Sequence, residues 1–303
     1  MHRRRIAIFA VGVAIAATLL VSVVGSAAGS ATVGPVLWQP SMNVFRRFAV
    51  AQERMFEFYG AVLGFEQLGT LNVGGGTGVA RFQAGASELK LTARVADRQY
   101  VPGGVRDATG VRLLTFFFPD EDALAARFVA HGLAAPRVVT HAGGRRSAPV
   151  TDPDGPAVEL VVVADAARHA EVEIGLTVSD LETSRAFYRE FVGLEELVPA
   201  YDPVFETMKY SYRHGSTIVS LRAFGAELPH DTGSGGIQYV VSNVDLVDAL
   251  ARERSVVVDQ PLSTLGGFQL RTIWLDDPDG ITNYFAETAQ ARSNYERALG
   301  EAR

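Results

Sequence analysis

The chain has 303 residues, 48% of them hydrophobic and 20% charged, which is enough for two globular cores. Its formal net charge is -6 with no long basic run, which argues against nucleic acid as a partner. It has no cysteine, so disulfides, thiolate catalysis and cysteine-type zinc sites are excluded.

The first element is a leader. Arg3-Arg4-Arg5 precede an uncharged apolar run over 6–24, and Gly25-Ser26-Ala27-Ala28-Gly29-Ser30-Ala31 follows. A basic head, an apolar stretch and a small-residue zone make a secretory signal over 1–31. The run is also long enough to span a bilayer, so an uncleaved anchor is the alternative, with membrane contact through this segment only. Both place the globular part outside the cytoplasm, in the periplasm or beyond. Residues 32–42 read as a linker.

Four units follow in chain order. In the first, 44–50 is a β-branched and aromatic strand, and 52–63 has helical spacing closed by Gly64. Short strands at 66–72, 79–83 and 88–93 are separated by glycines. The second unit has a strand at 111–118, a helix capped by Asp120 and ending at Gly132, and strands at 136–140, 147–151 and 157–163. After a connection at 164–170, the third has a strand at 171–178, a helix capped by Asp180, and strands at 194–199, 205–212 and 217–222. The fourth has a strand at 236–241, a helix over 244–252, and strands near 256, at 269–275 and at 281–286. A charged, helical tail closes the chain from about 288 to 303. The glycine-rich stretch 73–78 lacks the Lys-Ser/Thr of a phosphate loop and reads as a hairpin turn.

Two motifs recur in order. Phe58-Tyr59 before Gly64 returns as Phe187-Tyr188 before Gly193, an offset of 129 residues. Asp152-Pro153-Asp154-Gly155 returns as Asp277-Pro278-Asp279-Gly280, an offset of 125 residues. Two motifs repeating at nearly one offset indicate a tandem duplication. The expected fold class is therefore α+β, with four βαβββ units as two tandem domains, 43–163 and 171–287. Each Asp-Pro-Asp-Gly is by itself a turn.

A βαβββ unit with Phe-Tyr before a glycine and a later Asp-Pro-Asp-Gly resembles the vicinal oxygen chelate superfamily. That superfamily includes glyoxalase I, extradiol dioxygenases, and fosfomycin and bleomycin resistance proteins. The resemblance spans about 43–287 and implies paired units whose strands curl into a cup. In active members it implies a divalent metal held by side chains of the first strands (His or Gln) and last strands (Glu). Carried over, the third unit's first-strand position falls on Glu173, and the fourth unit's on Gly236 or Gln238. The closing positions fall on Tyr284 and Glu159, and the remaining first-strand positions near Phe45 and Leu113. Glu88 and Lys90 lie on the polar side of their strand and reach the same cup.

One ligand of three thus survives in each half, and none of the six histidines lies on a first strand. A catalytic metal usually takes three protein ligands, so no cofactor is expected. Phe45, Arg47, Thr115, Phe117, Glu173, Gln238 and Tyr284 read as facing a cup, and Met208, Tyr210 and Tyr212 share one strand face. Apolar walls with a few polar groups suit a small organic ligand. The favoured reading is an exported, metal-free binder of a small, partly apolar molecule. The ligand is expected in the second half, between Glu173 and Tyr284, with Gln238, Tyr210, Tyr212, Glu159 and Arg47 as further candidates. The alternatives are a metal-dependent lyase, isomerase or dioxygenase, or a metal-free enzyme using Glu173 or Glu159 as general base beside Tyr284, a buried carboxylate being more basic.

Overall fold

The computed structural model describes residues 31–72, 78–225 and 227–301; the expected leader and the turn at 73–77 lie outside the described residues. No helix among the described residues is long and apolar enough to cross a membrane. Each unit forms as its periodicity dictates. The first comprises β1 (Asn43–Phe48), α1 (Gln52–Phe56), β2 (Glu66–Asn72), β3 (Gly78–Ala84) and β4 (Ser87–Ala93). The second comprises β5 (Gly110–Phe118), α2 (Glu121–Ala130), β6 (Val139–Thr140), β7 (Arg146–Thr151) and β8 (Ala157–Val162).

The third unit is β9 (Val172–Thr177), α3 (Leu181–Ala186), β10 (Glu195–Glu196), β11 (Ala200–Asp202), β12 (Thr207–His214) and β13 (Thr217–Arg222). The fourth is β14 (Gly235–Val241), α4 (Val244–Glu253), β15 (Val257–Leu265), β16 (Leu270–Asp276) and β17 (Thr282–Thr288). The tail is α5 (Ala289–Glu301), held by the buried Ala291. Asp120 and Asp180 cap their helices as expected, accepting from the N–H of Ala123 and Thr183 at 3.0 Å each. Asn243 does the same for α4 through Leu246 at 3.0 Å. The first and third helices do not stay α-helical: each widens into a π-helical turn, Glu57–Val62 and Phe187–Val192, at the repeated Phe-Tyr.

The units pair crosswise. One sheet runs β15-β16-β17-β14-β1-β4-β3-β2 and joins units one and four. The other runs β10-β12-β13-β9-β5-β8-β7-β6 and joins units two and three, with β11 on β12. At each centre two first strands meet antiparallel: Phe45 opposite Gly236 in one sheet, Thr115 opposite Glu173 in the other. The tandem repeats stand as the sequence suggests, but each cup takes one unit from either half. Connection length gives the reason. Only the short link 164–170 separates β8 from β9, and both flank β5, so units two and three are neighbours. The longer links 94–109 and 223–234 carry the chain between sheets, so unit four closes onto unit one.

The sheet faces turned away from the cups share one core. Val172, Ile174 and Leu176 of β9, Ile237, Tyr239 and Val241 of β14, and Phe58, Tyr59, Phe187 and Tyr188 of the π turns all lie in it. The repeated motifs meet there. Tyr59 donates to Asp152 at 2.9 Å and Tyr188 to Asp277 at 2.8 Å, all four residues being buried. Each bond ties a helix of one sheet's unit to a turn of the other's. The segment read as a linker is also packed: Val33 and Val36 are buried, and the Val33 N–H donates to the Phe191 carbonyl at 2.9 Å.

Candidate functional site

The expected partnership of Glu173 with Tyr284 does not form, because β9 and β17 belong to different sheets. The other candidates sort between the two cups by strand alternation.

In the cup of units two and three, Thr115 stands between Glu159 and Glu173 on adjacent strands. The two glutamates are therefore members of one cup, where the sequence placed them in separate halves. Both are already engaged. Arg145 grips Glu159 with Nε at 3.0 Å and an η nitrogen at 2.5 Å, and the Thr115 hydroxyl donates to it at 3.2 Å. Lys209 donates to both oxygens of Glu173 at 3.1 and 3.0 Å, and Arg222 to one at 3.2 Å. Arg222 also holds the buried Asp202 at 2.6 Å. Three cations thus meet three carboxylates. Burial alone would raise the pKa of Glu173, but Lys209, Arg222 and Arg145 outweigh it and hold the carboxyl well below the usual range. A glutamate so held is a poor base, so the acid–base role expected of Glu173 is corrected.

Tyr210 and Tyr212 do not face this cup. On β12 it is Lys209, on the opposite face from both tyrosines, that reaches Glu173 in the cup. Tyr212 is fully buried on the helix side, accepting from Arg185 Nε at 3.1 Å and donating to Glu196 at 3.1 Å. Tyr210 lies under the same arginine, 4.8 Å from its ring centre. Both are packing residues.

The cup of units one and four encloses a cavity of about 260 Å³. Arg47 from β1, Gln238 from β14 and Tyr284 from β17 line it, as the alternation of those strands predicts, together with Phe45 and Lys90. Gln238 and Tyr284 are register partners. The Gln238 amide oxygen accepts from Asn43 at 3.2 Å and from Lys90. Arg47 is 5% exposed, donates to the Gly233 carbonyl at 3.0 Å and lies 4.9 Å from the Phe45 ring centre. Burial lowers the pKa of Arg47 and of Lys90, the latter countered in part by Glu88 at 3.5 Å. Burial raises that of Tyr284, so its hydroxyl stays protonated.

The remaining walls were not singled out in the sequence: Leu71, Val79, Thr92, Gln260, Ser263, Leu265, Phe268, Leu270, Thr272 and Trp274. The alternation of Leu270, Thr272 and Trp274 along β16 was a usable signal, but it needed the knowledge that β16 borders β17. Trp274 stacks edge-on to Tyr284 at 5.0 Å.

Neither cup fits the divalent metal that the resemblance implies. In the first, the Phe45 ring lies over Gly236, where a Cβ would stand 2.3 Å from the ring and 2.4 Å from the Thr282 carbonyl. Two of the metal positions are thus a ring resting on a glycine, and the neighbours Arg47 and Lys90 are cations. In the second, the carboxylates are neutralised by arginine and lysine. Among the described residues no three of His, Asp and Glu group around a common point.

The family model described as the Glyoxalase/Bleomycin resistance protein/Dioxygenase superfamily matches residues 42–160 and 169–285. Among solved structures, glyoxalase I from Zea mays is 18% identical with a TM-score of 0.65, covering 86% of this chain and 95% of that one. A putative dioxygenase from Bacillus subtilis is 15% identical with a TM-score of 0.60, covering 85% and 86%. At these identities the likeness is one of fold. No curated protein sequence matches significantly. The two matched repeats span most of the chain, which belongs to the Glyoxalase/Bleomycin resistance protein/Dioxygenase superfamily.

Proposed function

We propose that this protein is an exported member of the superfamily that binds a small, partly apolar organic molecule in the cup of units one and four, without a metal. One observation carries the reading: a cavity of about 260 Å³ with aromatic and aliphatic walls and a few polar side chains, the usual make-up of a small-molecule site. Export rests on the leader, and the metal-free reading on the donor set. The metal-dependent alternative lacks its ligands, and both bases of the acid–base alternative are engaged, Glu173 by two cations and Glu159 by Arg145.

Trp274 reports on the cavity directly. The chain has two tryptophans, and Trp38 lies outside the cavity walls. In a Trp38→Phe variant, small aromatic and alicyclic compounds are expected to perturb Trp274 fluorescence saturably, and Tyr284→Phe or Gln238→Ala to change the affinity. A panel that leaves Trp274 unperturbed would remove the cup as the site. Elemental analysis of the purified protein is expected to find no stoichiometric transition metal; iron, manganese, nickel or zinc at one per chain would contradict the metal-free reading.

A further inference from the structure

The cavity of the first cup carries charge of one sign. Arg47 and Lys90 line it and, among the described residues, no aspartate or glutamate does, in a chain whose acids outnumber its bases by 34 to 28. Arg47 is nearly fully buried, and among the described residues no carboxylate pairs with it. Its guanidinium has five N–H donors, and the hydrogen bond it makes goes to a backbone carbonyl. A buried ion without a counter-ion costs several kcal/mol.

The neighbouring charges do not remove this excess. Glu88 stands 3.5 Å from Lys90 but is shared with Arg81 at 3.4 Å, so one carboxylate serves two cations. Asp259 acts on Arg47 only from beyond ion-pair distance and is itself paired with Arg98, whose own charge opposes that of Arg47; Asp97 likewise makes no ion pair with Arg47. Strand register places the cations together: Phe45 is opposite Lys90, and Arg47 opposite Thr92. Thr92 contributes to the same wall. Across from these groups Leu265, Phe268, Leu270 and Trp274 form an apolar surface, interrupted by the uncharged Gln260, Ser263 and Thr272.

We infer that the ligand of this cup is a small organic anion, its charged group on Arg47 and Lys90 and its apolar body against Trp274 and Leu265. The inference rests on the cup being the ligand site. A carboxylate and a phosphate monoester share the required chemistry, since both accept charge-assisted hydrogen bonds from guanidinium and ammonium groups. A neutral body of the same shape would leave the buried arginine without a partner.

The test uses the full chain carrying Trp38→Phe, titrated at neutral pH with phenylacetate, phenyl phosphate and the neutral phenylacetamide. Either anion is expected to bind at least about tenfold tighter than the amide, equivalent to about 1.4 kcal/mol. Lys90→Met is expected to erase most of that preference, read as the ratio of anion to amide affinity within the same variant. Arg47→Met should do the same, but Arg47 is buried, so the wild-type comparison and the Lys90 variant decide if it fails to fold. Binding of the acetate alone or the phosphate alone identifies the head group and supports the inference. An amide that binds as well as both anions overturns the inference and leaves the cup as the site. Silence of all three probes at millimolar concentration overturns both.

Discussion

Tyr59 and Tyr188 each donate to the first aspartate of an Asp-Pro-Asp-Gly turn, but the two aspartates differ in company. Asp152 also accepts from Arg46 at 3.0 Å. Among the described residues Asp277 has no such cation; it accepts from Tyr188 and from the backbone N–H groups of Asp279 and Ile281. Burial pushes Asp277 up to about 7, against the hydrogen bonds from Ile281 and Tyr188. An unfolded aspartate titrates near about 3.9, so the folded chain holds a proton that the unfolded chain has released. The stability that Asp277 contributes therefore falls as pH rises from about 4 to about 7 and is level above that. At about 1.4 kcal/mol per unit the loss is at most about 4 kcal/mol. Asp277→Asn keeps the acceptor for the backbone groups and is expected to flatten this slope in urea denaturation at pH 5 and pH 8. A slope unchanged by the substitution would mean that Asp277 is ionised throughout. Tyr188→Phe is expected to cost about 1–3 kcal/mol, and Tyr59→Phe less, because Arg46 still satisfies Asp152; equal costs in the same assay would contradict the difference in company.

At the scale of strands and helices, much was legible because it is local. The caps at Asp120 and Asp180 and the repeated glycines fixed helix ends. Alternation along β1, β14 and β17 turned Arg47, Gln238 and Tyr284 toward a cup, but into different halves of the chain; only the crosswise pairing brings them into one. β12 went wrong for a physical reason. Its alternation is clean, Met208, Tyr210 and Tyr212 against Lys209, Ser211 and Arg213, but alternation does not say whether the aromatic face meets the helices or the cup, and it meets the helices. The π turns were missed because an extra residue per turn leaves no composition signal. The ion pairs of the second cup depend on which strands lie side by side. They predict that the cups separate by mutation. Glu173→Gln, which strips a buried partner from Lys209 and Arg222, is expected to lower stability by about 3 kcal/mol or more, yet leave binding at Trp274 unchanged. Altered ligand affinity at unchanged stability would put Glu173 back in the site. Gly236→Ala, driven against the Phe45 ring and the Thr282 carbonyl, is expected to cost about 1–3 kcal/mol by overpacking and also to disturb that binding. Wild-type stability and binding would show that the ring gives way freely.

For the molecule as a whole, the repeat showed that the chain is duplicated but not how the copies assemble. Lateral pairing of first strands is set by connection length and by which edges remain open, and neither is written in one strand's residues. The consequence is that neither half contains a complete sheet. Residues 32–163 alone would present the edges of β1 and β5 unpaired. This half is expected to aggregate or stay unfolded by itself and to be rescued by co-expression with 164–303. A half that is monomeric and cooperatively folded in solution would contradict the crosswise assembly.

The central claim is that the ligand site is assembled from the two ends of the chain, in the cup of units one and four. Hydrogen–deuterium exchange with and without the tightest binder from the Trp274 titration tests it most directly. The account predicts slowed exchange together in β1, β4, β14, β16 and β17, around Arg47, Lys90, Gln238, Trp274 and Tyr284, with β8 and β9 unchanged. Protection centred on Glu159 and Glu173, with none in β1 and β17, would contradict it.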